Sequence, residues 1–233
     1  FLPDGRMLVT EKAGRLRIVT SKGEISKPIA NVPRVAARGQ GGLLDIAPSP
    51  GFARDQTIFL SYSEAGQSGE AGTAMARARL ANDNELSDVR VIFGQTPKVD
   101  GGQHFGSRIA FARDGAVFLT TGDRGKFDPA QDVTKTIGVV VRLNGDGSPL
   151  KDNPFVGQER ARPEIFSYGH RNIQGAAIHP RTGALWVHEM GPRGGDEINI
   201  VAAGRNYGWP LVSWGSHYSG IPIAKPSTRP DLT

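Results

Sequence analysis

Short runs of apolar residues alternate along the chain with turns that are rich in glycine and proline. Four stretches share one pattern, in which a few apolar residues lead into a turn, a short apolar strand and a small or polar exit. They span residues 1–10, 46–60, 109–120 and 177–187. Three of the turns contain Asp-Gly or Thr-Gly, and glycine tolerates the positive φ of a tight hairpin. The pattern therefore predicts four antiparallel hairpins.

The spacing of these hairpins indicates a repeated unit. The turn residues Asp4, Asp55, Asp114 and Thr182 are 51, 59 and 68 residues apart. Propeller blades repeat at about 40–50 residues with several strands each, and longer spacings leave room for inserted loops. Further strand-like runs lie between the hairpins, at residues 15–19, 74–80 and 138–143. We therefore predict an all-β fold of four-stranded antiparallel blades; the alternative is a β-sandwich with unrelated hairpins.

The length of 233 residues corresponds to about four blades of this spacing. Residues 1–5 have the pattern of a strand ending in a turn, and residues 229–233 that of a loop with no closing element. An open propeller leaves unpaired strand edges. We expect residues 1–233 to form one domain, a partial β-propeller with an incomplete first blade and without its C-terminal blades.

Composition excludes several classes of protein. There is no cysteine, so disulfides, cysteine nucleophiles and thiolate metal sites are excluded. No run of about 18 apolar residues predicts a membrane span. The formal net charge of +5 is mild and no basic block is present, so we expect no nucleic-acid partner. The 31 glycines and 16 prolines agree with a chain of many turns.

One histidine and one aspartate flank the third hairpin. His104 precedes its first strand and Asp123 follows its second strand, 19 residues later. A hairpin brings its two ends together, so these side chains can be neighbours. An aspartate that accepts from one imidazole nitrogen sets the tautomer and leaves the other nitrogen as a base. The alternative is a structural histidine bonded to a loop carbonyl.

Two polar segments flank the fourth hairpin. Residues 168–175 collect Arg, Asn and Gln in a stretch bounded by glycines, which suits a planar anionic ligand or, alternatively, the capping of strand ends. Residues 188–199 place carboxylates beside glycines and a proline. Carboxylate and carbonyl oxygens are the ligands that calcium prefers, although a solvated acidic turn has the same composition. Residues 206–210 form a stiff aromatic loop, and we expect Trp209 to lie in the core.

Several catalytic signatures are absent from the sequence. It contains no Gly-x-Ser-x-Gly elbow, no phosphate-binding loop and no dinucleotide fingerprint. Its five histidines show no zinc-binding spacing.

Taken together and in order, these motifs resemble the soluble sugar dehydrogenases that depend on pyrroloquinoline quinone (PQQ), and most closely the bacterial aldose sugar dehydrogenases. The resemblance covers nearly the whole chain, and its two most specific motifs lie at 191–199 and 206–210. The motifs that carry it lie at 39–45, 104–108, 152–155, 168–175, 191–199 and 206–210.

The resemblance implies a six-bladed propeller that oxidises the anomeric hydroxyl of an aldose sugar to a lactone. In it, His104 matches the general base, Asp123 the carboxylate that orients it, and Arg171 the arginine at the reactive quinone carbonyl. Gln40 and Asn172 match positions that contact PQQ. The resemblance further implies calcium, an external electron acceptor and a periplasmic or secreted location.

Two calcium sites are also implied by this resemblance. The carbonyls of Gly191 and Pro192 match ligands of the calcium that bridges to PQQ. Glu197 and the carbonyl of Tyr207 match a second, structural site. Both sites use oxygen ligands, as calcium requires.

The sequence departs from the glucose dehydrogenase branch at three places. Gln103 stands where that branch has an acid, and Met190 stands where it has a glutamine. Either Asp128 or Gln131 lies near an expected polar PQQ contact. Two other functions stay open: a calcium-dependent propeller lactonase, and a non-catalytic propeller that binds a glycan or a protein.

Overall fold

The computed structural model describes residues 1–232 and contains thirteen strands, β1 to β13, in four antiparallel sheets. The chain divides into two compact units, the first made of residues 1–94 and 98–102, the second of residues 95–97 and those from 103 onward. The helical segments are single turns. Within residues 1–232, no helix is long and apolar enough to cross a membrane.

The first unit contains two sheets, each formed by strands that are consecutive in the sequence. A two-stranded sheet pairs β1 (Met7–Glu11) with β2 (Arg15–Val19). A four-stranded sheet has the order β3-β4-β5-β6. Its strands are β3 (Leu43–Pro48), β4 (Thr57–Ala65), β5 (Ala71–Arg79) and β6 (Ser87–Gly94), and the short helix α1 (Phe52–Asp55) joins β3 to β4.

The second unit also contains two antiparallel sheets, each formed by strands that are consecutive in the sequence. One sheet has the order β10-β9-β8-β7, and the other has the order β11-β12-β13. The strands of the first are β7 (Ile109–Phe111), β8 (Val117–Thr120), β9 (Val139–Leu143) and β10 (Ile165–Tyr168). Those of the second are β11 (Ile173–Ile178), β12 (Leu185–Glu189) and β13 (Glu197–Val201), and 3-10 turns lie at Asp128–Gln131 and Pro226–Thr228.

This architecture confirms the predicted all-β class and three of the four predicted hairpins. The hairpin predicted over residues 1–10 is not formed, because the turn at Asp4 precedes β1 and joins no two strands. The turns at Asp55, Asp114 and Thr182 join the first and second strands of three sheets, and the additional strand-like runs coincide with β2, β5 and β9. Each sheet is a meander of sequential strands, as in propeller blades, without the long Greek-key returns typical of sandwiches. The number of sheets equals the predicted number of blades. The incomplete first blade and the absence of the C-terminal blades stay predictions.

Each unit has its own apolar core, because alternate strand residues point to opposite faces of a sheet. Both cores consist largely of branched aliphatic and small side chains. The first unit's core includes Leu16, Ile18, Ile58, Leu60, Tyr62, Ala74 and Ala76. The second unit's core includes Ala110, Phe118, Val140, Ile173, Leu185, Val187 and Val201.

The hairpin register fixes the ends of each blade. In β7 and β8, Ile109 pairs with Leu119, so the segment before β7 and the segment after β8 leave the sheet at the same end. In β11 and β12, Ile173 pairs with Glu189, and the flanking segments likewise emerge together. All polar segments singled out from the sequence near these hairpins therefore lie at blade ends.

We expect Leu119→Ala to lower the free energy of unfolding by about 2–5 kcal/mol, because it leaves a cavity in a close-packed core. Leu119 is fully buried in β8, whereas Leu211 is 45% exposed. Leu211→Ala is the matched control and should change stability by less than about 0.5 kcal/mol. Urea-induced unfolding of the complete protein measures both values, and equal effects would contradict the assignment of the core.

Candidate functional site

The His104 imidazole and the Asp123 carboxylate form a short hydrogen bond at the end of the β7–β8 hairpin. The distance from Nδ1 of His104 to Oδ1 of Asp123 is 2.6 Å. A carboxylate only accepts hydrogen bonds, so Nδ1 carries the hydrogen and the imidazole lone pair lies on Nε2. The His104 side chain is 12% exposed and that of Asp123 is fully buried. The structure thus brings together the predicted pair.

Two more donors hold the buried Asp123 carboxylate. The indole Nε1 of Trp209 donates to Oδ2 at 2.7 Å, and the backbone N–H of Gly125 donates to Oδ1 at 2.7 Å. A buried charge is tolerated only when it is paired or hydrogen-bonded. Trp209 is buried with Ala130 and Ile223, which confirms its predicted place in the core. Its bond to Asp123 was not predicted from the sequence.

The backbone around this pair is closely packed. A Cβ atom on Gly122 would overlap the carbonyl oxygen of His104, so only glycine fits there. His104 itself has a φ of 54°, an uncommon value for a residue with a side chain. The imidazole position is therefore set by backbone contacts as well as by Asp123.

Arg171 lies next to the pair, since its carbonyl oxygen accepts the Asp123 backbone N–H at 2.8 Å. Its guanidinium donates from Nη1 to the Met190 carbonyl at 2.8 Å and lies over the Trp209 ring, with 5.3 Å from Cζ to the ring centroid. Arg171 is 7% exposed, and its buried Nε has no hydrogen-bond partner among the described residues. Buried donors rarely lack a partner, so Arg171 keeps one donor that no described residue satisfies.

Glu189 anchors the segment that carries Arg171. Its Oε2 accepts the Arg171 backbone N–H at 2.8 Å, and its Oε1 lies 3.4 Å from Nδ1 of the fully buried His170. The other nitrogen of His170 lies 2.9 Å from the Ser167 hydroxyl. Glu189 belongs to the acidic segment 188–199, but no individual role was predicted for it. Its position at the end of β12, opposite Ile173, was the signal that could have identified it.

Asn172 is buried beside the same loops. Its Oδ1 accepts from the Gly106 backbone N–H at 3.0 Å and from Nε2 of Gln174 at 3.1 Å. These bonds tie the segment before β7 to the segment before β11. The Asn172 amide oxygen therefore links these two segments. Its NH₂ group can donate a hydrogen bond to a ligand.

The loop between β12 and β13 contains the predicted calcium ligands of the cofactor site. Gly191 and Pro192 are buried, and the Gly191 N–H donates to Oδ1 of Asp196 at 2.9 Å. A small cavity of about 10 Å³, with room for about one water molecule, touches this loop. Its lining includes Arg171, Glu189, Gly191, Pro192, Glu197, Tyr207 and Trp209.

Glu197 and Tyr207 both line this cavity. Burial and the negative charge of Glu189 raise the pKa of Glu197 above its ordinary 4.5, against a lowering effect of the hydrogen bond from Asn199. Ionised Glu197 is thus disfavoured in the fold. Without a bound cation, stability is expected to fall as the pH rises from 4.5 through the raised value.

The oxygen-rich lining suits a hard cation, which would offset the repulsion between Glu189 and Glu197. Within residues 1–232, no three His, Asp or Glu side chains converge as a metal site. A calcium ion here would therefore depend on backbone carbonyls as well as carboxylates. The Tyr207 hydroxyl is already engaged, donating to the Ile200 carbonyl at 2.6 Å and accepting from the Ala202 N–H at 2.9 Å. The carbonyl oxygen of Tyr207 is therefore the candidate calcium ligand of this residue.

The other predicted contacts lie elsewhere in the chain. Gln40 belongs to the first unit, in the loop before β3, where its backbone N–H donates to the Gly102 carbonyl at 2.5 Å. It stays a predicted cofactor contact. Gln131 exchanges two amide hydrogen bonds with Asn206 and also donates to the Trp209 carbonyl. Because its amide is used in this way, the exposed Asp128 is the better candidate for a polar ligand contact.

Comparison with known proteins identifies the family of the chain. The family model for glucose/sorbosone dehydrogenase matches residues 1–233. The chain is 49% identical over 229 residues to the aldose sugar dehydrogenase YliI of Escherichia coli strain K12, covering 97% of this chain and 62% of that protein. The chain thus spans about three fifths of the length of this curated relative.

Two solved structures are closely similar. The apo form of the soluble aldose sugar dehydrogenase from Escherichia coli superposes with a TM-score of 0.93 at 46% identity, covering 100% of this chain and 66% of that one. The PQQ-bound form of aldose sugar dehydrogenase from Streptomyces coelicolor superposes with a TM-score of 0.81 at 32% identity, covering 96% and 64%. The match along the whole chain shows that it belongs to the glucose/sorbosone dehydrogenase family.

Proposed function

We propose that this protein is a PQQ- and calcium-dependent dehydrogenase that oxidises the anomeric hydroxyl of aldose sugars to lactones and passes the electrons to an external acceptor. Its family membership and its likeness to a PQQ-bound aldose sugar dehydrogenase support this assignment. We further propose a periplasmic or secreted location, with which the absence of cysteine is compatible.

One observation carries the proposal: an imidazole–carboxylate pair lies next to a buried arginine whose Nε lacks a partner. The pair supplies a base for a hydroxyl proton. The arginine supplies a fixed positive charge where negative charge would develop on an acceptor oxygen. A lactonase needs a metal ion but no such guanidinium, so the combination favours oxidation over hydrolysis.

His104 is proposed as the general base. Its Nε2 takes the proton of the anomeric hydroxyl while hydride leaves the anomeric carbon. Asp123 keeps the hydrogen of the imidazole on Nδ1 and stabilises the imidazolium that forms. Since Asp123 is fully buried and hydrogen-bonded on both oxygens, the imidazole does not need to reorient during proton transfer.

Arg171 is proposed to hold the cofactor's reactive carbonyl. When bound, PQQ supplies the quinone carbon that accepts the hydride. The unpartnered Nε of Arg171 fits an anionic or carbonyl acceptor of this kind, and its Nη1 bond to Met190 fixes the guanidinium plane. Asn172, through its NH₂ group, and Gln40 are proposed as further cofactor contacts.

The carbonyls of Gly191 and Pro192 are proposed to hold the calcium that accompanies the cofactor. Such an ion acts as a Lewis acid on a coordinated oxygen. Glu197 and the Tyr207 carbonyl are proposed as ligands of a second calcium with a structural role. Glu189 and Glu197 line the same cavity, and a cation there would offset the repulsion that helps to raise the pKa of Glu197.

Reconstitution tests the proposed function. The complete protein, loaded with PQQ and Ca²⁺, should reduce an artificial dye in the presence of aldoses and convert the sugar to its lactone. The control omits PQQ, and a parallel panel supplies lactones with Ca²⁺ alone. Absence of dye reduction by PQQ-loaded protein would reject the dehydrogenase, and lactone hydrolysis without PQQ would identify the rival lactonase.

His104→Ala should lower kcat by about 10²–10⁴-fold, since this is the usual contribution of a general base. Binding of PQQ should be largely retained, because the assigned cofactor contacts are other residues. The matched control is His179→Ala, in the turn after β11, where the ring accepts from the N–H groups of Arg181 and Thr182 and stacks on Trp186. Loss of PQQ affinity with turnover retained would contradict the role of His104.

Glu197→Gln should reduce the rise in melting temperature that Ca²⁺ produces in the wild-type protein. A cation that binds only the folded state at 100 times its Kd stabilises it by about 2.7 kcal/mol. The wild-type effect should be larger at pH 7 than at pH 4, where Glu197 is protonated. The exposed Glu159→Gln is the control, measured by thermal unfolding in Ca²⁺ and in EDTA. An undiminished calcium effect in Glu197→Gln would exclude this residue as a ligand.

A further inference from the structure

Trp209 contacts both halves of the candidate site from the loop that follows β13. Its side chain is 4% exposed. The indole Nε1 reaches the Asp123 carboxylate, and the ring face lies against the Arg171 guanidinium. Trp209 thus joins the His104–Asp123 pair to Arg171 through its own side chain.

The bond to Asp123 fixes the plane of a group that can otherwise rotate. Oδ1 faces Nδ1 of His104 at 2.6 Å, and Oδ2 accepts from Nε1 of Trp209 at 2.7 Å. Rotation of the carboxylate about its Cβ–Cγ bond would break both bonds at once. A hydrogen bond to an ionised group is roughly twice as strong as one between neutral groups, so the two bonds restrict this rotation. The orientation of His104 therefore depends on Trp209 through Asp123.

The indole is itself held in place by its backbone. The Trp209 N–H donates to the Gly169 carbonyl at 2.9 Å, and its carbonyl accepts from Nε2 of Gln131 at 2.6 Å. Gln131 in turn is paired with Asn206. Gly169 lies two residues before Arg171, so one of these anchors belongs to the segment that carries the arginine.

We propose that Trp209 is a positioning residue: its indole N–H sets the Asp123 carboxylate for His104, and its ring supports Arg171. The inference rests on the proposed dehydrogenase function for its kinetic consequence, but its geometric content is independent of catalysis. Trp209→Phe separates the two contacts, because phenylalanine keeps an aromatic face for the guanidinium and lacks the N–H donor.

Imidazole NMR spectroscopy tests the geometric part. In complete protein with ¹⁵N-labelled histidine, the Nδ1–H proton of His104 should resonate far downfield, with the assignment made from the His104→Ala spectrum. In Trp209→Phe this resonance should move upfield and broaden as the carboxylate gains freedom. Trp214→Phe is the matched control, since Trp214 is 61% exposed, and its spectrum should be unchanged.

Steady-state kinetics of the PQQ- and Ca²⁺-loaded enzyme tests the consequence. Trp209→Phe should lower kcat by roughly 10- to 100-fold, the equivalent of one charge-assisted hydrogen bond, while the sugar KM and the PQQ affinity stay close to wild type. Replacement of Trp209 by benzothienylalanine, which has the shape of tryptophan with sulfur in place of N–H, should lower kcat similarly. This second variant removes the donor without creating a cavity.

The outcomes separate three cases. If benzothienylalanine restores the wild-type resonance and kcat, Trp209 acts by packing alone and the positioning role is overturned. If Trp209→Phe leaves the His104 resonance and kcat unchanged, it is overturned as well. If the resonance shifts as expected but wild-type protein shows no dye reduction, the positioning role stands and the proposed dehydrogenase function fails.

Discussion

The site depends on one buried charge, the Asp123 carboxylate. Burying a carboxylate without partners is strongly unfavourable, so the loops around it must present donors from several directions. His104, Gly125 and Trp209 do so, and each belongs to a different part of the second unit. The backbone N–H of Asp123 adds a fourth link, to the Arg171 carbonyl. Satisfying this single group brings the base, the arginine and the aromatic loop together.

The parts of this arrangement that are local in sequence could be predicted from the sequence. Hairpins are fixed by turn residues and by alternation of apolar positions, and the ends of an antiparallel hairpin must be adjacent. His104 and Asp123 flank one hairpin, so their proximity followed from topology alone. The strand runs β2, β5 and β9 were identified for the same reason. Which side chains carry the chemistry was inferred from the family resemblance, because spacing left a structural role for His104 equally open.

The contacts that span long stretches of chain could not be predicted in this way. Trp209 lies 86 residues from Asp123, and no periodic pattern relates the two. Its burial was predictable from its size and from the stiff loop around it, yet the partner of its N–H was not. Buried tryptophan usually satisfies this donor, so the useful question was which acceptor could be near. The role of Glu189 was not predicted for a similar reason. Its carboxylate is hydrogen-bonded to the backbone N–H of Arg171 and to His170, and sequence spacing does not reveal these bonds.

Backbone strain is concentrated on the two loops that hold His104 and Asp123. His104, Ser107, Arg124 and Phe127 all have positive φ, although none is glycine. Each such residue costs about 1–3 kcal/mol and persists only where neighbouring contacts over-determine it. Here those contacts include the Asp123 network and the buried Arg124, whose guanidinium lies 3.6 Å from the centroid of the Phe105 ring. A loop strained in this way has few alternative conformations of comparable energy once the network has formed. The imidazole is thus held at a fixed position before any ligand binds, and the free energy that holds it there comes from the satisfied carboxylate rather than from the ligand.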